Sequence, residues 1–269
     1  MAKFLFWNLN QRAIPGFVRT VAREHDVDVL ILAECRISTA ELLEALNESS
    51  SDYQYAWGNC NHLVFFTRFD AKRMKPLLES NRVSIRRLQM QKGESLLIAG
   101  AHLPSKVNYS DYSQIFESVN LARMINEVEA QEGHQRTVVL GDLNMNPFEI
   151  GMIGARGGLH AVMSRRVAAR ESRIVQKEKC TFFYNPMWNH LGDSGKAGGT
   201  FYFENGEPVC YFWNMFDQVL LRPDLLTGFE PEQVRIVTEV GRVSLLEDDG
   251  RPDKTLASDH LPVLLELKF

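Results

Sequence analysis

Apolar runs of strand length alternate along this chain with amphipathic stretches of helix length. Residues 3–9 alternate toward a short strand, and Val27 to Ala33 is an almost unbroken apolar run, the mark of a strand covered on both faces. Ser95 to Ala101 and Val138 to Leu140 read the same way. Leu63 to Thr67, Arg82 to Gln89, Thr200 to Phe203, Cys210 to Trp213, Phe216 to Leu221 and Val263 to Phe269 complete the predicted strands. Helical spacing covers Pro15 to about His25, with Phe17, Val18, Val21 and Ala22 as its apolar stripe. It recurs over Glu41 to Asn47, behind the capping-box pattern Ser38-Thr39-Ala40-Glu41. A longer helix opens at Asp111-Tyr112-Ser113-Gln114, carries Ile115, Val119, Ala122, Ile125 and Val128, and ends near Gly133. Asn146-Pro147-Phe148-Glu149 reads as one more helix start, with Asn146 as cap, Pro147 at the first helical position and Glu149 closing a capping box. The pattern from Gly151 to about Met215 is weaker, with a loop expected over Gly192 to Gly199. No Pro/Gly/Ser-rich linker divides the chain, so one α/β domain over residues 1–269 is the simplest account.

Composition narrows the class without changing that picture. The 269 residues are 45% apolar and 24% charged, as in an ordinary soluble globular protein. A net charge of −4 leaves no global basic field for nucleic acid, although a local patch can still bind a polyanion. Cys35, Cys60, Cys180 and Cys210 are dispersed and form no CxxC pair. They are read as free thiols of a reduced, cytoplasmic protein, with two long-range disulfides as the alternative. The N-terminus turns polar at Asn8 before a signal-peptide core can form, and no run approaches the roughly 18 apolar residues of a membrane span, so no transmembrane segment is expected.

Candidate chemistry lies where the apolar runs end. Glu34 follows the 27–33 run, His102 follows 95–101, Asp142 and Asn144 follow 138–140, Asp217 interrupts 216–221, and Asp259-His260 precedes the last strand. Asn8 and Asn10, like Asp142 and Asn144, are two residues apart and share a side if the chain stays extended. Each has an ordinary reading alone: a lone His is a hydrogen-bonded turn residue, and Asp142-Leu143-Asn144 is a polar turn. Recurring together at strand ends, they form one cleft if those ends converge, and carboxylates gathered there need a cation. Oxygen ligands without a Cys or multi-His cluster favour Mg²⁺ or Mn²⁺ over zinc. The chain lacks HExxH, a Walker phosphate loop and GxSxG, which argues against a zinc protease, a P-loop ATPase and a serine hydrolase.

These residues also carry a resemblance. Trp7-Asn8-Leu9-Asn10, Leu32-Ala33-Glu34, Ala101-His102-Leu103, Gly141-Asp142-Leu143-Asn144, Phe216-Asp217-Gln218-Val219-Leu220 and Ser258-Asp259-His260-Leu261-Pro262 stand in the order that marks the endonuclease/exonuclease/phosphatase superfamily. That group includes pancreatic-type deoxyribonuclease, abasic-site endonucleases, neutral sphingomyelinases and inositol-polyphosphate 5-phosphatases. The resemblance implies a four-layer α/β sandwich, two mixed β-sheets packed face to face with helices outside, and Mg²⁺-dependent hydrolysis of phosphoester bonds, with Mn²⁺ as a substitute. It implies Glu34 as principal metal ligand, assisted by Asn10 and Asp259. Asp142 would orient or deprotonate the attacking water, Asn144 would hold the phosphate and Asn8 would steady the arrangement. His260 would donate to a phosphate oxygen with Asp217 as its partner, and His102 would contact phosphate or protonate the leaving group. Ala33 stands where a Gln often precedes the metal-binding Glu, and Gln218-Val219 lacks the aromatic that abasic-site enzymes carry after this Asp. Both departures argue against a close abasic-endonuclease identity.

Substrate choice lies outside the motifs. Ser164 to Lys179 holds Arg165, Arg166, Arg170, Arg173, Lys177 and Lys179, and Phe182, Phe183, Tyr184, Trp188, Phe201, Tyr202, Phe212 and Trp213 are aromatic neighbours in sequence. They read either as a nucleic-acid contact or as a solvated helix face and ordinary core. The leading expectation is a nuclease acting on DNA or RNA. A phosphatase or phosphodiesterase for a small nucleotide, inositol or lipid phosphoester is the alternative, and a catalytically silent binding protein on the same fold is the reading from a different class.

Overall fold

The alternation in residues 2–8 sends Phe4 and Phe6 into one apolar layer and Leu5 and Trp7 into another, so the first strand is buried on both faces. The computed structural model describes residues 1–90, 93–107, 109–193 and 195–268. Ser194 of the expected 192–199 loop and Phe269 at the end of the expected last strand lie outside these residues. Strands β1 (Ala2–Asn8), β2 (Val29–Ala33), β3 (Gln54–Tyr55), β4 (Leu63–Thr67), β16 (Val234–Ile236) and β19 (Val263–Leu267) form one sheet in the order 16-19-1-2-4-3. A second sheet, in the order 5-6-7-8-15-12-9, joins β5 (Met74–Glu79), β6 (Val83–Gln89), β7 (Ser95–His102), β8 (Thr137–Asp142), β9 (Ala161–Val162), β12 (Phe183–Tyr184) and β15 (Asp217–Leu221). The pairs β10 (Ser172–Val175) with β11 (Glu178–Thr181), β13 (Phe201–Phe203) with β14 (Phe212–Asn214), and β17 (Glu239–Val240) with β18 (Val243–Ser244) are separate ribbons. Both large sheets are mixed: β1–β2, β7–β8 and β9–β12 are parallel, and the remaining pairs are antiparallel.

Three apolar layers separate four structural ones. Phe4, Phe6 and Ile31 of the first sheet meet Ile98, Val138, Leu140 and Val219 of the second between the sheets. Leu5, Trp7, Leu30 and Leu32 face outward onto Val18 and Val21 of α1 (Pro15–Glu24) and Leu42 and Leu46 of α2 (Thr39–Leu46). Ile85, Leu97, Ala99 and Val139 face Leu121, Ile125 and Val128 of α3 (Asp111–Glu132). This is the expected four-layer α/β sandwich. Each fully buried large side chain contributes roughly 1.5–3 kcal/mol relative to exposure, which explains why central strands in this sandwich tolerate few polar residues.

Several boundaries move for identifiable reasons. The strand expected from Val27 starts at Val29, because the Val27 amide closes the end of α1 on Ala22 O at 2.8 Å. Asp28 accepts the Lys3 amide at 2.9 Å. Strand β5 lies in a segment given no element from sequence, and it carries Pro76. It is tolerated because β5 is an edge strand whose register breaks between Pro76 and Leu78. The helix expected at Asn146 begins at Ile150, with Glu149 as its cap, and is short: α4 (Ile150–Ile153). Glu149 Oε1 does reach back to the Asn146 amide at 2.8 Å, but the Asn146 side chain is spent elsewhere. It accepts from Met215 N at 2.9 Å and donates to Asn214 Oδ1 at 2.8 Å. The basic stretch 164–179 is not one helix face. It divides into α5 (Arg165–Ala168) and the β10–β11 ribbon, with Arg165 bound to Glu230 and Arg173 to His160. All four cysteines are free. Among the described residues no helix is long and apolar enough to cross a membrane.

Candidate active site

Parallel pairing brings the polar strand ends to one edge. Asn8 closes β1 opposite Ala33 of β2, so Glu34 follows beside it. In the other sheet His102 of β7 and Asp217 of β15 both stand in register with Asp142 of β8. At the ends of β1 and β8 the chain makes the same turn. Asn8 Oδ1 accepts the Asn10 amide at 2.9 Å, and Asp142 Oδ1 accepts the Asn144 amide at 2.9 Å. These side-chain turns need a left-handed residue, and Asn10 (φ +44°) and Asn144 (φ +51°) supply it. The chain is therefore not extended at either position, contrary to the premise that the residues of each pair share a side. They remain neighbours because the first side chain of each pair holds the second residue's backbone. Glu34 is also left-handed, at φ +46°, an uncommon state for a residue of this type that concentrates at functional sites.

Asp142 is the hub. It is 1% exposed, and its Oδ2 accepts Asn8 Nδ2 at 2.9 Å across the two sheets. His102 Nε2 lies 3.8 Å and His260 Nε2 3.9 Å from the same oxygen. His260 is fixed from behind, its Nδ1 2.8 Å from Asp217 Oδ2, while its backbone carbonyl accepts the Trp7 indole at 2.9 Å. Burial opposes charge on the ring, but Asp217, Asp142 and Asp259 outweigh it and raise the His260 pKa to about 10. Burial also pushes the Asp217 carboxyl up, against the pull of His260. We assign the proton shared by the pair to the imidazole, because that places opposite charges 2.8 Å apart. His102 Nε2 lies 3.4 Å from Glu34 Oε1, and this contact is the main reason the Glu34 pKa falls to about 2.

Carboxylates crowd the open side. The Asp259 carboxyl is raised by burial, with His260 pulling it down and Glu34 and Asp142 adding to the rise. Such a set, whose members disfavour one another's charge, suits a cation. Asp142, Asp217 and His260 present ligand atoms within 4.8 Å of one another and form a possible metal site. Asp217 and His260 already hydrogen-bond each other, whereas Glu34 and Asp259 border the cavity with fewer commitments.

A cavity of about 740 Å³ opens over these groups, bordered by Asn8, Asn10, Glu34, Asp142, Asn144, Asp259 and His260. The expected site residues are thus brought together, His102 and Asp217 standing just behind the lining. None of the basic residues of 164–179 lines it. Sequence reasoning missed Thr200, whose hydroxyl accepts the Asp217 amide at 3.1 Å, as well as Lys106, Tyr211 and Asn214 in the wall. Nothing in local pattern marks these residues, which reach the site from loops and a ribbon.

Residues 5–260 match the Endonuclease/Exonuclease/phosphatase family, and the chain belongs to that family. It is a phosphoester hydrolase of a group whose members depend on a metal. A Neisseria 3′ phosphatase, NExo, bound to a product DNA hairpin, superposes with a TM-score of 0.61 over 100% of both chains at 14% identity. A humanized D. rerio TDP2 gives 0.53 over 100% of this chain and 99% of its own, also at 14% identity. A mannosyl-6-phosphatase of Bacteroides thetaiotaomicron gives 0.53 at 14% identity over 100% of both chains. At these identities the likeness establishes the fold and leaves the substrate open. No curated protein sequence matches the chain.

Proposed function

We propose that the protein is a Mg²⁺-dependent phosphodiesterase acting on nucleic acid, DNA or RNA. The observation that carries this reading is the convergence on Asp142 of Asn8, His102, Asn144 and His260, from both sheets, beside Glu34 and Asp259. Glu34 would hold the ion, with Asn10 and Asp259 assisting directly or through water. A hard divalent cation there neutralises phosphate charge and stabilises the leaving oxygen, and Mn²⁺ would substitute.

The chain's own groups supply the rest. Each Asp142 oxygen accepts one hydrogen bond, so the carboxylate is immobilised yet keeps lone pairs to take a proton from an attacking water. The Asn144 amide donates one hydrogen to Leu103 O at 2.9 Å and keeps the other for a phosphate oxygen. With Nδ1 held by Asp217, His260 offers Nε2–H to the oxygen on which charge builds. His102, between Glu34 and Asp142, contacts phosphate or protonates the leaving group.

A second reading is favoured by one observation: Lys106 is the single Lys or Arg among the described residues lining the cavity, which suits a small phosphoester better than a long polyanion. A panel of plasmid, oligonucleotides, cyclic dinucleotides and phosphomonoesters, with Mg²⁺ or Mn²⁺ and with chelator, separates the two. Metal-dependent cleavage of nucleic acid, lowered on the order of 10³-fold by Asp142→Asn, is expected. Monoester hydrolysis without nuclease activity would select the small-phosphoester reading. Metal-independent partner binding without turnover would select a silent binding protein.

A further inference from the structure

The cavity has two unlike halves. Its inner half is acidic and amide-rich, whereas the β13–β14 ribbon gives its outer half aromatic rings. Moving outward from His260, the ring of Phe201 lies 4.7 Å away, and Phe203 is layered 6.4 Å beyond it at an interplanar angle of 14°. Phe216 backs Phe201 at 5.3 Å. Across the ribbon, Tyr211 meets Phe148 in a T-shaped contact with ring centroids 5.2 Å apart. Phe203 and Tyr211 nevertheless remain 48% and 56% exposed at the cavity wall. The residue after Tyr211, Phe212, has φ +59°, a backbone state a bulky side chain rarely adopts unless its surroundings impose it.

Rings packed on one face and open on the other are platforms for unstacked bases, each of which has a flat π-face. A long backbone, paired or unpaired, would instead demand several cations, so the rings fit a short unpaired end best. Lys106, the one Lys or Arg among the described lining residues, is already bound to Glu149 and lies 3.7 Å from Asp111.

We propose that Phe203 and Tyr211 form a base-stacking wall, so that the substrate is an unpaired strand or frayed end rather than intact duplex. Recognition by ring faces also makes the site tolerant of sequence. This inference rests on the phosphodiesterase reading above.

The test follows Mg²⁺-dependent cleavage of four end-labelled substrates: single-stranded DNA, single-stranded RNA, blunt duplex DNA, and a DNA strand whose bases are replaced by tetrahydrofuran. At least one base-bearing single strand should be cleaved on the order of 10²-fold faster than either the duplex or the baseless strand. The DNA and RNA arms identify which strand it is. Phe203→Ala and Tyr211→Ala should each narrow the base-bearing to baseless ratio roughly tenfold, while Tyr211→Phe keeps it, since stacking needs the ring and not the hydroxyl. If an alanine variant does not fold, Tyr211→Leu removes the flat face while keeping apolar volume. Equal cleavage of duplex and single strand, or a ratio unmoved by these variants, overturns the stacking wall and leaves the phosphodiesterase reading intact. No cleavage of any strand by the protein, or cleavage undiminished in Asp142→Asn, removes both.

Discussion

Two histidines flank Asp142, equally buried and at nearly equal distances, but their surroundings are reversed. His260 is anchored behind and open in front: Asp217 holds Nδ1 at 2.8 Å, and Nε2 faces the cavity 3.9 Å from Asp142. His102 is engaged in front, Nε2 lying 3.4 Å from Glu34, while its Nδ1 has no hydrogen-bond partner among the described residues. A ring whose rear nitrogen is fixed has its tautomer and direction set before substrate arrives, so it can stabilise developing charge without reorganising. A ring held only by its working nitrogen must give up that contact to serve a substrate. Under the proposed function, the comparison gives the larger rate contribution to His260 and a smaller, adjustable one to His102.

The comparison breaks most visibly at His260 itself. His260→Ala should lower kcat on the order of 10³-fold with little change in KM, measured on the best substrate of the panel; a loss no larger than that of His102→Ala would erase the distinction. Asp217→Asn keeps the shape but withdraws the charge behind the ring, and a loss on the order of 10²-fold is expected, with the acidic-to-basic shape of the rate–pH profile displaced. For His102→Ala the expected cost is roughly tenfold, the worth of one hydrogen bond to a charged group. Steady-state kinetics that place it level with Asp217→Asn would mean that its unpaired Nδ1 finds a partner in the working enzyme.

The smallest effect is on stability. His260 is raised from 6.5 to about 10, so its pairing with Asp217 stabilises the fold fully below pH 6.5 and that contribution is lost as pH rises through about 10. In chelator, the urea midpoint of the protein should exceed that of His260→Gln at pH 6, and the gap should shrink by pH 10. A gap that widens with pH would reverse the proton assignment.

Legibility in sequence differs between layers of the molecule. β2, β7, β8 and β15 were readable because strands covered on both faces leave unbroken apolar runs, and the polar residues at their ends stand out against that background. Asp142 and Glu34 were visible for that reason. Thr200, Lys106 and Tyr211 were not, because they sit in loops and a short ribbon where no periodicity constrains their identity. Asn146 misled, since its cap-like position conceals a side chain used to tie down Asn214 and Met215. β5, with Pro76 inside it, was not read at all, because edge position is a property of the sheet and not of the segment.

Sequence alone determined the central strands and the longer helices, the faces they bury and the polar residues that end those strands, because these follow from local periodicity and the cost of burying unpaired charge. Tertiary structure alone decided that Asn8 and Asp142, 134 residues apart, share a hydrogen bond, that His260 is anchored where His102 is not, and that an aromatic ribbon walls the cavity. Those relations depend on sheet register and on the packing of one sheet against the other, neither of which is encoded within any single stretch of chain.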